Sequence, residues 1–374
     1  MPQLLIKRVG VVLVSFAILV GAFFLSLSKP KYSFEYFTAD CRIFNVSGKL
    51  LFFLNSPLCA FTDDGKVLSS KPYLDTFMLQ DKNNEVLWTS HEHVHHDLKF
   101  TADQKAILLI TAEVINFQGE EVKSDCFSKR DLNNRIISHW CLSENIDELI
   151  KLGFPITKLK IERVLSKDRA AVRFEISHAN SIYEIPSNSI SNKISAFQSG
   201  NYLVNLFVPL NALLVLDRDM KKILWSKSLK GVVLEGKEVH LITHDDHVLP
   251  DGKILMYANR FYKRLPGTGD QVVFENQESE WQSSLVTYDP LTERASFVFD
   301  PNRYKAFKSD FQGSVNRLPN NNFFVSETSP VAKVTELDPS GRIAWSFEIP
   351  VKNIQTARPV YNSNFLKSRK IIVD

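Results

Sequence analysis

The sequence predicts an all-β protein built as a β-propeller and preceded by one N-terminal transmembrane helix. Three observations predict it. A strand–turn–strand unit recurs along the chain, an aspartate-to-aromatic spacing recurs beside it, and a long uncharged apolar run lies near the N-terminus.

The unit is clearest between Glu238 and Arg260. An apolar strand leads into a polar elbow, His244-Asp245-Asp246-His247, then a Pro250-Asp251-Gly252 turn, then the run Lys253–Ala258. Proline presets φ and glycine tolerates positive φ, so the tripeptide is a tight reversal. The run after it is apolar without a helical period, as in a buried strand. Upstream, His95-His96-Asp97 and Asp103-Gln104 repeat the pattern, with His96 on His244 and Asp97 on Asp245. Downstream, Leu318-Pro319 falls on Leu249-Pro250. A further copy starts at His178-Ala179-Asn180-Ser181-Ile182, its loop lengthened by a Ser/Asn-rich stretch before Gly200–Phe207.

The second signature runs from Asp81 to Trp88, Asp217 to Trp225, Asp289 to Phe297 and Asp338 to Trp345, offsets of 7, 8, 8 and 7. Strand–turn–strand repeats with one large aromatic each, spaced by roughly 50–70 residues, are the mark of propeller blades. The innermost strands of such blades start near a common axis. His96 and His244 therefore meet there although they are distant in sequence.

Val9–Leu27 is uncharged, follows Lys7-Arg8 and precedes Lys29-Pro30-Lys31. A bilayer core takes about 20 apolar residues of helix, so the run has spanning length. It exceeds the usual signal-peptide core and no small-x-small cleavage site follows, which favours a retained anchor over a cleaved leader. Residues 1–31 are thus expected as a membrane anchor with short flanks, and residues 32–374 as the propeller, with an insertion at about 118–151. The body is expected on the periplasmic or another extracytoplasmic side, single-pass. Lys367–Asp374 is expected to close the ring against an N-terminal strand.

The chain has 44% hydrophobic residues, enough for a large core, and its net charge of +3 gives no case for nucleic acid. All four cysteines lie beyond the anchor. Cys41 with Cys59 and Cys126 with Cys141 would close short loops in an oxidising compartment, the second pair being the stronger expectation; four buried thiols are the alternative. The absence of C-x-x-C excludes zinc-ribbon and thioredoxin-like sites, and the absence of Gly-x-Ser-x-Gly removes support for a serine hydrolase. His91-Glu92-His93-Val94-His95-His96-Asp97 could alternatively hold copper or zinc, because imidazoles and carboxylates crowd one strand.

Several of these segments resemble the arylsulfotransferase family: His178-x-Asn180-Ser181-Ile182, Gly200–Val204, Ile223-Leu224-Trp225, His244-Asp245, Gln312–Asn320 and Glu336–Trp345, in order. The resemblance implies a six-bladed propeller. It also implies sulfuryl transfer between phenolic compounds through a transiently sulfated histidine, with an aryl sulfate donor and a phenolic acceptor. Carried over by motif, His244, His178 and His96 are the catalytic set, with His244 the nucleophile. Asp97, Asp245, Asn180 and Arg260 are the substrate-binding candidates. The chain departs from the family at Asn205-Leu206-Phe207, where the family has an arginine.

Sulfuryl transfer should resemble phosphoryl transfer, with charge on three non-bridging oxygens. An imidazole near its ordinary pKa of about 6.5 can attack without tuning. Two further histidines could steady the oxyanion and protonate a departing phenolate, with Asp97 or Asp245 orienting a ring. The scheme needs neither metal nor cofactor. The other functional class is a non-catalytic propeller serving as a binding or assembly scaffold for protein partners.

Overall fold

The computed structural model describes residues 34–71, 75–160, 174–207, 209–263, 283–299, 309, 312–328, 331–351, 354 and 356–372. Their strands form five open sheets and one closed group in a propeller-like, all-β arrangement. The first sheet joins Ala357–Val360 to Tyr36–Ala39, Arg42–Asn45 and Leu50–Phe53, and the second runs through Leu58–Phe61, Val67–Lys71, Thr76–Gln80 and Val86–Ser90. The third contains His93–Phe100, Ala106–Phe117 and Glu120–Asp131, with Ile136–Cys141 and two short strands added. Ala179–Glu184 opens the fourth sheet, which continues through Tyr202–Leu206, Ala212–Leu216 and Ile223–Ser228. The closed group contains Lys230–Leu234, Lys237–Val248, Ile254–Lys263, Ser284–Asp289 and Arg294–Phe297; Ser314–Arg317 to Ile343–Glu348 make the sixth set.

Each sheet buries both faces, and the core is divided accordingly. In the strand Ala106–Phe117, Leu108 and Ile110 join a cluster with the fourth sheet, while Ile107 and Leu109 join one with the second. That is the two-residue alternation of a strand read onto two neighbours. The remaining clusters link the fourth sheet to the closed group, that group to the sixth set, the sixth to the first, and the first to the second. The contacts therefore run in a ring.

The aspartate of the second signature caps the outer hairpin. Asp81 Oδ1 accepts the amides of Asn83 and Glu85, both at 2.8 Å, and Asp338 Oδ1 accepts those of Ser340 and Arg342 at 2.8 and 3.0 Å. Such turns let a short carboxylate satisfy backbone donors that no strand pairs. The aromatic then wedges between neighbours. Trp88 Nε1 donates to Leu132 O at 2.7 Å in the next sheet, and Trp345 Nε1 to Val46 O at 3.2 Å.

Ring closure corrects one expectation. Ala357–Val360 pairs antiparallel with Tyr36–Ala39, whereas Asn364–Ser368 is a short helix that packs Phe365 and Leu366 between the first two sheets. The β-rich composition after Lys367 misled because Phe365 and Leu366 supply an apolar helical face instead. Both expected disulfides, Cys41–Cys59 and Cys126–Cys141, are formed. The segment expected as an insertion carries Glu120–Asp131 and Ile136–Cys141 of the third sheet, then the helix Ile146–Lys151. The anchor expected at Val9–Leu27 lies outside the described residues; among those described, no helix is long and apolar enough to cross a membrane.

Candidate functional site

The innermost strands carry backbone irregularities at the positions that hold the histidines. The register slips between Val94 and Leu98, between Ala179 and Ser181, and between His244 and His247. His96 and Asp245 both take the left-handed conformation, at φ 56°. Bulges of this kind re-aim side chains and gather next to sites.

The aspartates of the elbows join one sheet to the next. Asp97 Oδ2 accepts the amide of Ile182 at 2.9 Å, and Asp245 Oδ2 accepts that of Val315 at 3.0 Å. The same bond thus recurs at both aspartates, which explains why the sequence aligns them. The turn below Asp245 also behaves as its residues require. Gly252 has φ +86°, and a Cβ there would meet Ile190 at 2.5 Å.

A cleft opens between these elbows, lined by His96, Asp97, Asn180, His244, Asp245, Gln312, Gly313, Thr356 and Arg358. It is narrow, with a cavity volume of about 20 Å³. His178 stands beside it, its ring 4.6 Å from that of His96. Phe207 lies between the remaining pair, 5.6 Å from His178 and 5.3 Å from His244. The structure therefore brings His96, His244, Asp97, Asp245 and Asn180 to one cleft with His178 adjoining. Arg260 sits opposite Ile242 in the strand pairing, and its side chain lies outside the described residues.

Neither aspartate orients an imidazole of the catalytic set. His178 Nδ1 instead faces both carboxylate oxygens of Glu175 at 3.1 Å, and His244 Nδ1 faces Asn259 Oδ1 at 2.5 Å. Asn180 Nδ2 donates to Thr243 O at 3.2 Å, and its Oδ1 is buried without a partner. Arg358 comes from the closing strand, where its guanidinium bonds Asp245 at 3.0 Å and the Tyr183 hydroxyl.

A buried charged layer backs the cleft. Asp125, fully buried, contacts His95 Nε2 at 2.8 Å and Lys123 Nζ at 3.1 Å and accepts the Ala179 amide at 2.7 Å. Burial alone would raise this carboxyl, but Lys123 and His95 hold it well below the ordinary carboxylate range. His95 is pushed down to about 3 by burial and by Lys123. Burial, with His178 and His95 nearby, likewise drives His96 well below its ordinary value. Both rings are consequently neutral near pH 7.

The crowded strand does not form a metal set. His93 turns to Asp75, His95 to Asp125, and His96 to His178. Among the described residues, the one trio within ligand spacing is Glu113, Cys126 and Cys141, and its two sulfurs are joined to each other.

Sequence reasoning missed Glu175, Asn259 and Arg358. Glu175 sits three residues before His178, a spacing that carries no signal in an irregular segment. Asn259 lies inside the strand Ile254–Lys263, one residue past the apolar run the sequence marks. Arg358 arrives through ring closure.

The inner elbows of this propeller-like fold thus bring two imidazoles and a guanidinium to one cleft. The chain belongs to the arylsulfotransferase (ASST) family, whose model matches residues 89–349. No curated protein matches it. Among solved structures, it is similar to a protein of unknown function from Bacteroides caccae, at 13% identity and TM-score 0.52, covering 87% of this chain and 99% of that one. Virginiamycin B lyase from Staphylococcus aureus matches at 11% identity and TM-score 0.39, over 79% of this chain and 71% of that one.

Proposed function

We propose that the cleft transfers a sulfuryl group from an aryl sulfate to a phenolic acceptor through a sulfohistidine at His244. The observation that carries this reading is the convergence of His96, His244 and Arg358 on one cleft, with His178 against His96, in a chain of this family.

The reading assigns each group a task. A nitrogen lone pair of His244 forms a bond to sulfur while the bond from sulfur to the aryl oxygen breaks. The phenolate leaves with that electron pair and takes a proton from protonated His178, which Glu175 holds in place. In the second half, the acceptor oxygen attacks sulfur, the sulfur–nitrogen bond breaks, and His178 takes the acceptor's proton. Arg358 uses two nitrogens on Asp245 and Tyr183, and its planar fork retains further N–H donors for sulfuryl oxygens. Among the described residues, it is the cation lining the cleft, whereas position 207 is a phenylalanine. His96, neutral, contributes a hydrogen bond.

In the same reading, the closed strand group counts as one blade, giving six, and residues 9–27 tether the propeller to a membrane on its extracytoplasmic side. Retention in the membrane after an alkaline wash tests the tether, and a mature chain starting near Lys29 would exclude it. Release of nitrophenol from a nitrophenyl sulfate in the presence of phenol tests the activity.

One observation favours a scaffold instead: Phe207 occupies the space between His178 and His244. If the wild type is inert and Phe207→Arg is active, the chain is an enzyme that has lost its chemistry. Inertness of both favours the scaffold with protein partners.

A further inference from the structure

Asn259 is 3% exposed and spends its amide nitrogen on two backbone carbonyls, Ser309 O at 3.1 Å and Gln312 O at 2.6 Å. Rotating the amide by half a turn would set its oxygen against those two oxygens, all three acceptors. The orientation is therefore forced, and Oδ1 must be the atom that meets His244 Nδ1 at 2.5 Å. An amide oxygen can only accept, so Nδ1 must carry a proton. In the neutral ring the lone pair then belongs to Nε2.

We propose that Asn259 is the positioning residue of this site, holding His244 as the Nδ1–H tautomer with Nε2 as its nucleophilic nitrogen. The inference rests on the sulfuryl-transfer reading for its purpose but not for its geometry. A neutral partner suits a nucleophile. His178 faces the carboxylate of Glu175, whereas Asn259 fixes the proton of His244 without adding a negative charge behind it. Among the described residues, the charged or titratable groups around His244 include His96, Asp97 and Arg358 across the cleft, Asp245 beside it in the chain and Tyr257 opposite it in the strand pairing; Phe207 offers its ring.

The test uses full-length protein with ¹⁵N-labelled histidine, without ligand, followed by NMR. At pH 8, wild-type His244 should show a protonated Nδ1 and an unprotonated Nε2. Asn259→Leu should turn this into a mixture or into the Nε2–H form. Asn259→Asp should keep Nδ1–H but hold the imidazolium to a pH about one unit higher or more, the usual effect of an adjacent carboxylate. The acid limb of nitrophenol release should rise with it. An Nε2–H ring in the wild type, or an unchanged tautomer in Asn259→Leu, overturns the proposal. The wild-type spectrum decides even where a variant does not fold. If the tautomer is as stated and no nitrophenol is released, the sulfuryl-transfer reading fails while the assignment of Asn259 stands.

Discussion

Asp246→Asn isolates one buried carboxyl. Asp246 is fully buried beside Asp245, with Oδ2 against Asn205 Nδ2 and accepting from Thr243 Oγ1 at 2.9 Å. Its Oδ1 is buried without a partner. Burial raises its pKa to about 7, against the opposing hydrogen bonds of Asn205 and Thr243. The folded state therefore keeps a proton that the unfolded chain releases near 3.8. The stabilising contribution is full below that pH and is lost as pH rises through about 7. From pH 5 to pH 8 the loss spans about two pH units at 1.36 kcal/mol each, or about 3 kcal/mol. Asparagine matches the shape, is neutral at every pH and can accept from the same two donors. Urea unfolding of both proteins between pH 5 and 8.5 should therefore show similar stability at pH 5 and a variant about 3 kcal/mol more stable, relative to wild type, at pH 8. His95 and His96 impose an opposite trend, losing stability as pH falls below about 6.5, but they are present in both proteins and cancel. Parallel stability profiles would refute the reasoning.

Two further outcomes follow from the same structure. Arg358→Met should lower nitrophenol release by about 100-fold, the loss typical of one oxyanion donor, while Arg358→Lys should recover part of it because charge returns without the planar fork; activity equal to wild type in Arg358→Met would remove the arginine from the site. Replacing Cys126 and Cys141 together by serine should cost about 3 kcal/mol by the loop-entropy account, measured by urea unfolding, and an unchanged midpoint would show that the bond contributes nothing to stability.

The periodic parts of the fold were legible. Asp81, Asp217 and Asp338 stand out because each must cap a hairpin with its own carboxylate, and the tryptophans because each must fill the gap between sheets. Asp97 and Asp245 were legible as a pair, though for an unexpected reason: each accepts a backbone amide of the next sheet. What escaped was whatever depends on two segments meeting. Arg358 reaches the cleft because Ala357–Val360 closes the ring, and nothing local to that strand marks it. Glu175 and Asn259 matter through the nitrogen they contact, a fact of orientation that a linear pattern does not carry.

The central claim is that His244 takes the sulfuryl group. Full-length protein is mixed with a nitrophenyl sulfate without acceptor, quenched in alkali, digested and mapped by mass spectrometry. The account predicts one added SO₃ on the peptide containing His244, lost again when phenol is supplied and absent from His244→Ala. An unmodified His244 peptide in a protein that nevertheless transfers sulfate, or full transfer by His244→Ala, would contradict it.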